Sequence, residues 1–228
     1  STHKGRKKSL RQLVSVCVLW LGCIYGAQAE LSISGVEPPV RDNILAYLRL
    51  DDEACDAPDW RLRRLFADSE KEIREALEVV GFYNIEIEKT LKTGDTCWQA
   101  NFAITPGKPV VLRNVSIKID SGSAQDAELE SAALKCALHP GDVLQHANYD
   151  ACRRRITRLA ERRGYFAAEF KERRIDVYPD EYAADITLHF ATGRRYVFGA
   201  TTFDQAVLDL DLVERFVRIT PGEPYDAE

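Results

Sequence analysis

Cysteine and histidine are the residues of this 228-residue chain best suited to chemistry, with six of the first and four of the second. Cys136, His139, His146 and Cys152 bring zinc's preferred ligand types into one short stretch. Their spacings fit no common zinc module, and histidines flanking Pro140-Gly141 read more plainly as exposed loop residues. The other chemistry open to the cysteines is oxidation, which depends on where the chain resides. Catalytic arrangements are missing: there is no Gly-x-Ser-x-Gly elbow, no phosphate-binding glycine loop and no His-Glu-x-x-His. Ser121-Gly122-Ser123 reads as a linker-like turn, and His189 stands singly in a strand pattern. The carboxylates form no isolated pair in an apolar setting, as acid/base work would want. The chain is therefore not expected to be an enzyme or to carry a cofactor. The acidic loop at residues 51–59 lacks the spaced glycine and terminal glutamate of a calcium loop and reads as a solvated connection.

The compartment is suggested by the amino terminus. Lys4, Arg6, Lys7, Lys8 and Arg11 precede an apolar run over residues 13–25 and then Ala27-Gln28-Ala29, the layout of a cleaved secretory signal over residues 1–29. The run is too short to span a bilayer as a helix, and Trp20 is bulky where the lipoprotein alternative at Cys23 wants a small aliphatic residue. Cleavage leaves 26 basic against 36 acidic residues, an acidic balance that argues against non-specific nucleic-acid binding. It also leaves Cys55, Cys97, Cys136 and Cys152, for which an oxidising compartment makes disulfides the default.

The elements that position these residues recur. Over residues 148–177, Tyr149, Cys152, Ile156, Leu159 and Ala160 fall on one stripe of a helix, Arg162 and Arg163 occupy its last turn, and Gly164 ends it before a strand. The same device runs over residues 62–87, where Leu62, Leu65, Phe66, Ile73, Ala76, Leu77 and Val80 form the stripe and Gly81-Phe82-Tyr83 closes it. The two glycines are 83 residues apart, and Pro140-Gly141 returns as Pro221-Gly222 at a spacing of 81. A period of this length implies small domains in tandem rather than a solenoid.

In the first copy, a strand at 31–36 precedes a helix after Pro38-Pro39 that carries Ile44, Leu45, Leu48 and Leu50. A long helix at 60–80 and a hairpin of strands 82–91 and 96–104 complete it. The second copy has strands at 110–119, 165–177 and 182–191 with helices at 126–138 and from 148. Thr105-Pro106-Gly107 and Thr192-Gly193 are joints short enough to hold neighbours semi-rigidly. A third copy opens with a strand at 195–203 and a helix at 208–217 and is expected to be incomplete at Glu228. The boundaries are thus 30–107, 108–192 and 193–228. The cysteines divide two per copy, which favours Cys55 with Cys97 and Cys136 with Cys152 among the three possible connectivities.

Tandem strand-helix-helix-strand-strand units, with glycine-aromatic-aromatic after the second helix and Pro-Gly before it, resemble the POTRA (polypeptide-transport-associated) domains of Omp85-superfamily outer-membrane assembly proteins. The export signal, the three-unit count and the opening Leu31-Ser32-Ile33-Ser34-Gly35-Val36 are most similar to the TamA branch. The resemblance covers residues 30–228. It implies an α+β fold of tandem POTRA domains, each with two helices on a three-stranded mixed sheet, the third strand central and the second at an edge, and with the third domain truncated. It further implies a place on the periplasmic face of the outer membrane and a carboxy-terminal β-barrel lying beyond these residues. Its partners would be an inner-membrane-anchored, TamB-like subunit and unfolded outer-membrane or autotransporter clients. Such units act by edge pairing, in which an open strand offers backbone groups to an extended segment. The candidate edges are 82–91, with Phe82, Tyr83, Ile85 and Ile87, and 165–177, with Tyr165, Phe166, Ala168 and Phe170. Lys171, Glu172, Arg173 and Arg174 serve equally to bind a partner or to blunt the edge against aggregation. Arg154, Arg158 and Arg162 make a basic stripe, read most plainly as a solvated helix face, with anionic lipid headgroups or an acidic partner as the alternative. A secreted scaffold or adhesion module without a barrel is the alternative from another class.

Overall fold

The computed structural model describes residues 29–227, except 95–96, 123–125, 205–206 and 217–218. Residues 1–28 of the expected signal segment, with its two cysteines, lie outside the described residues, as do parts of the first hairpin turn and of the loop before the third helix.

Alternation sets the first strand, β1 (Glu30–Ser34), whose Leu31 and Ile33 turn inward. It is shorter than the expected 31–36. Gly35 takes a φ of +87° against the chain at Ile104, where a Cβ would stand 1.9 Å from the carbonyl oxygen, so the extended run breaks there. Helix α1 (Pro38–Tyr47) starts on two prolines, which suit the first helical turn. A short 3₁₀ turn, Arg49–Asp52, buries Leu50. Helix α2 (Asp59–Glu78) lays Leu62, Leu65, Ile73, Ala76 and Leu77 on the sheet. Strands β2 (Glu86–Lys92) and β3 (Gln99–Thr105) are antiparallel, and β1 runs parallel to β3, giving the mixed order β1-β3-β2. Trp98 and Phe102 fill the core between sheet and helices, and the Trp98 Nε1–H donates to the Ala54 carbonyl at 3.1 Å.

The second unit repeats this order with β4 (Val111–Asp120), α3 (Ala127–Leu134), α4 (His146–Arg162), β5 (Glu169–Tyr178) and β6 (Ala183–Ala191), in the sheet order β4-β6-β5. Leu112, Leu129, Leu144, Ile156, Ile186 and Phe190 form a second core cluster, separate from the first. Asp126 caps α3, accepting from the backbone N–H groups of Glu128 and Leu129. The helix stops four residues short of the expected 138, because Cys136 turns back to bond Cys152 on α4. Cys55 bonds Cys97. With its two sulfurs joined, the Cys136 pair is no zinc ligand. His139 instead faces Asp142 and His146 faces Tyr83. Extra residues at Arg113 and Lys171 make bulges in β4 and β5.

Two further expectations are corrected. The strands after each glycine begin later than expected, at Glu86 and Glu169, since residues 82–85 and 165–168 serve the joints described below. In the third segment the strand expected at 195–203 is reduced to a single bridge, Val197 with Pro224, and the helix to α5 (Leu210–Glu214). Among the described residues this segment has no other strand to build a sheet upon.

Candidate edge-pairing interface and the joints that hold it

β2 and β5 are the end strands of their sheets. β2 is anchored from within. Lys89 crosses over the Phe66 ring at 5.0 Å and donates to the carbonyls of Phe66 and Ala67, so its stem covers the core while Glu86, Glu88 and Thr90 stay exposed. β5 is longer and more charged. Lys171 pairs with Glu169, and Arg174 pairs with Asp176 at 2.7 Å and Glu172 at 3.3 Å, so most of its charge is balanced along the strand itself. The bulge at Lys171 interrupts the ladder near its start and leaves the run from Glu172 to Tyr178 in regular pairing with β6. A strand of this kind can extend its sheet by accepting another backbone, since backbone bonding is indifferent to side-chain identity.

Of the residues expected on these edges, Ile87 and Phe170 lie in strands. Phe170 turns inward, its ring 4.8 Å from Phe190 in an edge-to-face contact. Phe82, Tyr83, Ile85, Tyr165, Phe166 and Ala168 precede the strands. Phe82 packs on the first core and Ile85 is buried in it. Tyr83 packs on the core of the second unit. The next copy behaves alike. Tyr165 is buried in its own unit, donating from its hydroxyl to Asp126 at 2.9 Å, whereas Phe166 meets the rings of Tyr196 and Tyr225 in the third segment at 5.5 and 5.0 Å. The first aromatic of each pair thus closes its own unit and the second reaches the next.

The glycine before them is where the next unit docks. The Val110 N–H donates to the Gly81 carbonyl at 2.8 Å and the His146 N–H to Val79 at 3.0 Å. A Cβ on Gly81 would stand 2.6 Å from the Leu144 oxygen. At the second joint Tyr196 donates to Gly164 at 2.9 Å and Ala227 to Arg162 at 2.8 Å, and a Cβ on Gly164 would stand 2.8 Å from the Cβ of Tyr225. Each Pro-Gly loop completes its side of the joint. Leu144 donates to Val110 and Gly141 to Leu112, as Tyr225 donates to Tyr196 and Gly222 to Phe198. The first joint adds the Tyr83 hydroxyl on His146 Nε2 at 3.1 Å and the Asn84 amide donating to Pro179 at 2.9 Å. Burial pushes the Tyr83 phenol up to about 12 and pulls the His146 imidazole below its usual value, with Asp150 and Glu78 pulling the imidazole the other way.

Val110, Leu144, His146 and Asn84 were not singled out in the sequence as contact residues. The signal that locates two of them was present, because Gly81 and Pro140-Gly141 both recur at the domain period and the structure makes them the two sides of one contact.

Two α+β units in tandem, each with its second strand at the end of its sheet and passing an aromatic to its successor, define a class of modular tandem-domain folds. Residues 30–106 match the family described as POTRA domain TamA domain 1. Among solved structures, it is similar to the third to fifth POTRA domains of BamA from Haemophilus influenzae, at 20% identity and a TM-score of 0.45, covering 88% of this chain and 80% of that one. It is similar also to the first three POTRA domains of Omp85 from Anabaena, at 14% identity and a TM-score of 0.37, covering 88% and 78%. A third likeness is to the N-terminal domain of Omp85 from Thermosynechococcus elongatus, at 15% identity and a TM-score of 0.36, covering 88% and 79%.

Proposed function

We propose that this chain is the periplasmic POTRA region of an outer-membrane protein assembly and translocation factor, taking extended partner or client segments onto the open edges of β2 and β5. The observation that carries the reading is the order of both sheets, which leaves the second strand of each unit at an end. Partners of this chemistry are unfolded outer-membrane or autotransporter chains, which present backbone groups in extended form, and a TamB-like subunit anchored in the inner membrane. The bulge and the balanced charges of β5 confine pairing to short, transient contacts, which suits passage of a client better than its retention.

Photocrosslinking groups placed at Glu88 on β2 and at Arg173 on β5, in the full-length protein in its own cells, test it. Both side chains are exposed. Crosslinks from these strands to unfolded barrel or autotransporter chains, absent from matched groups at exposed positions on α2 such as Arg64, are the expected result. Equal crosslinking from α2, or none from either strand, would overturn edge pairing.

A further inference from the structure

Between α3 and α4 lies a groove of about 840 Å³. Its α4 wall carries Arg154, Arg155, Arg158 and Arg162, and Lys135 faces them from beyond the end of α3. The rest of the lining is small or apolar, with Ala127, Ala132, Ala151 and Leu159. Neighbouring arginines have carboxylate partners, Arg153 with Asp150 at 2.9 Å and Arg163 with Asp126 at 2.8 Å, but the four in the wall have none among the described residues. Glu128, the groove's one carboxylate, is taken by Arg163 at 2.7 Å. Like charges one turn apart on a helix repel, and Arg154, Arg158 and Arg162 form such a series with no acid between them in the groove. The chain around them is acidic overall, so their concentration here is not a general surface property.

We propose that this groove docks an acidic, extended segment of a partner protein. The dimensions suit that occupant: arginines four apart on a helix advance by about 6 Å, and alternate residues of an extended chain by about 6.7 Å, so carboxylates at every second position keep step with the stripe. Arginine's planar fork binds a carboxylate through two hydrogen bonds, and the alanines of the lining leave room for small side chains between the acids. A walled groove admits a chain segment, whereas a flat bilayer meets only its rim. Arg154 and Arg158 also border β5 at Phe170 and Arg173, whereas β2 lies in the other unit. Edge pairing followed from Glu88 on β2 therefore keeps the failure of that reading distinguishable from the failure of this site.

The test uses the whole chain and a fluorescein-labelled peptide of about twelve residues in which glutamate alternates with alanine. Binding is read by anisotropy at low and moderate salt. The triple variant R154E/R158E/R162E is expected to bind about tenfold or more weakly, three exposed ion pairs each contributing a modest factor. The neutral triple R154Q/R158Q/R162Q is expected to weaken binding in the same direction, while Arg64→Glu, an exposed arginine on α2, leaves it within about twofold. Unchanged melting curves confirm that these exposed changes leave the fold alone. Equal loss in Arg64→Glu would overturn the site as a diffuse charge effect. Absence of peptide binding, with arginine-dependent sedimentation on phosphatidylglycerol vesicles instead, would overturn it in favour of a lipid surface. Crosslinking from Glu88 on β2, in the other unit, is expected to be unchanged in the triple variants.

Discussion

At Gly81 two separate demands fall on one residue, a left-handed φ of +94° and a close approach to the Leu144 carbonyl. Gly141 has the same φ with open space around its missing Cβ. The pair separates strain from contact. Gly141→Ala is expected to cost about 1 kcal/mol from backbone strain alone, and Gly81→Ala a further 1 kcal/mol or so because Leu144 must move, as read from urea unfolding of the two variants. Asp126 is the other residue on which much depends. It caps α3, receives Arg163 and Tyr165, and is almost wholly buried. Burial works against its charge, yet the hydrogen bonds from Arg163, Tyr165 and the Leu129 N–H hold its carboxyl below the usual range. The unfolded carboxylate takes up its proton near pH 3.9, and the folded one only at lower pH. The contribution is thus complete above that value and lost as pH falls through the depressed folded one. Asp126→Asn should cost about 1 to 3 kcal/mol at neutral pH by leaving Arg163 short of its partner, and chemical denaturation at pH 7 and pH 3 should show the gap narrowing on acidification.

At the scale of elements, the disulfides differ in what they join, Cys55–Cys97 tying the connection before α2 to the approach to β3 and Cys136–Cys152 tying the segment after α3 to α4. The Cys55–Cys97 loop closes 42 residues and the Cys136–Cys152 loop 16. In the loop-entropy account these contribute about 4 and about 3 kcal/mol to their own units. Replacing Cys136 and Cys152 with alanine should therefore lower the melting of the second unit and leave the first unit's transition in place, which calorimetry resolves. The disulfide pairs, the element order and the amphipathic helices were all legible in the sequence, because period, spacing and cysteine count are local or arithmetical signals. The starts of β2 and β5 were not. Residues 82–85 and 165–168 are rich in aromatics, as strands are, but they are shared between their own core and, through Tyr83, Asn84 and Phe166, the neighbouring unit, and a contact across units leaves no periodicity within either. The third segment failed for a related reason, since its alternation at 195–203 finds no central strand among the described residues to pair with. The candidate edges were legible as strands but not as edges, since strand order comes from topology and was supplied by resemblance.

For the molecule as a whole, the repeated joint sets how the units act together. His146 lies half-buried between them, facing Tyr83 with Glu78 and Asp150 nearby. Because burial depresses its folded value, the unfolded chain holds the extra proton first as pH falls below about 6.5, and the folded joint loses stability in that window. Between pH 7 and pH 5 the melting temperature should fall further for the native chain than for His146→Gln, which keeps a neutral hydrogen-bonding side chain there. The joint is also asymmetric. Gly81 and Val79 offer finished carbonyls at the end of a helix, and Tyr83 enters the second core, whereas the first core draws no residue from the second unit among its members. The dependence therefore runs one way along the chain. A chain folding from its amino terminus would complete each unit on the template of the one already folded, so that assembly is vectorial and a later unit is the more fragile when released alone. Residues 108–192 prepared without the first unit should be less stable than in the joined chain by about 1 to 2 kcal/mol, while residues 29–107 alone keep nearly their full stability.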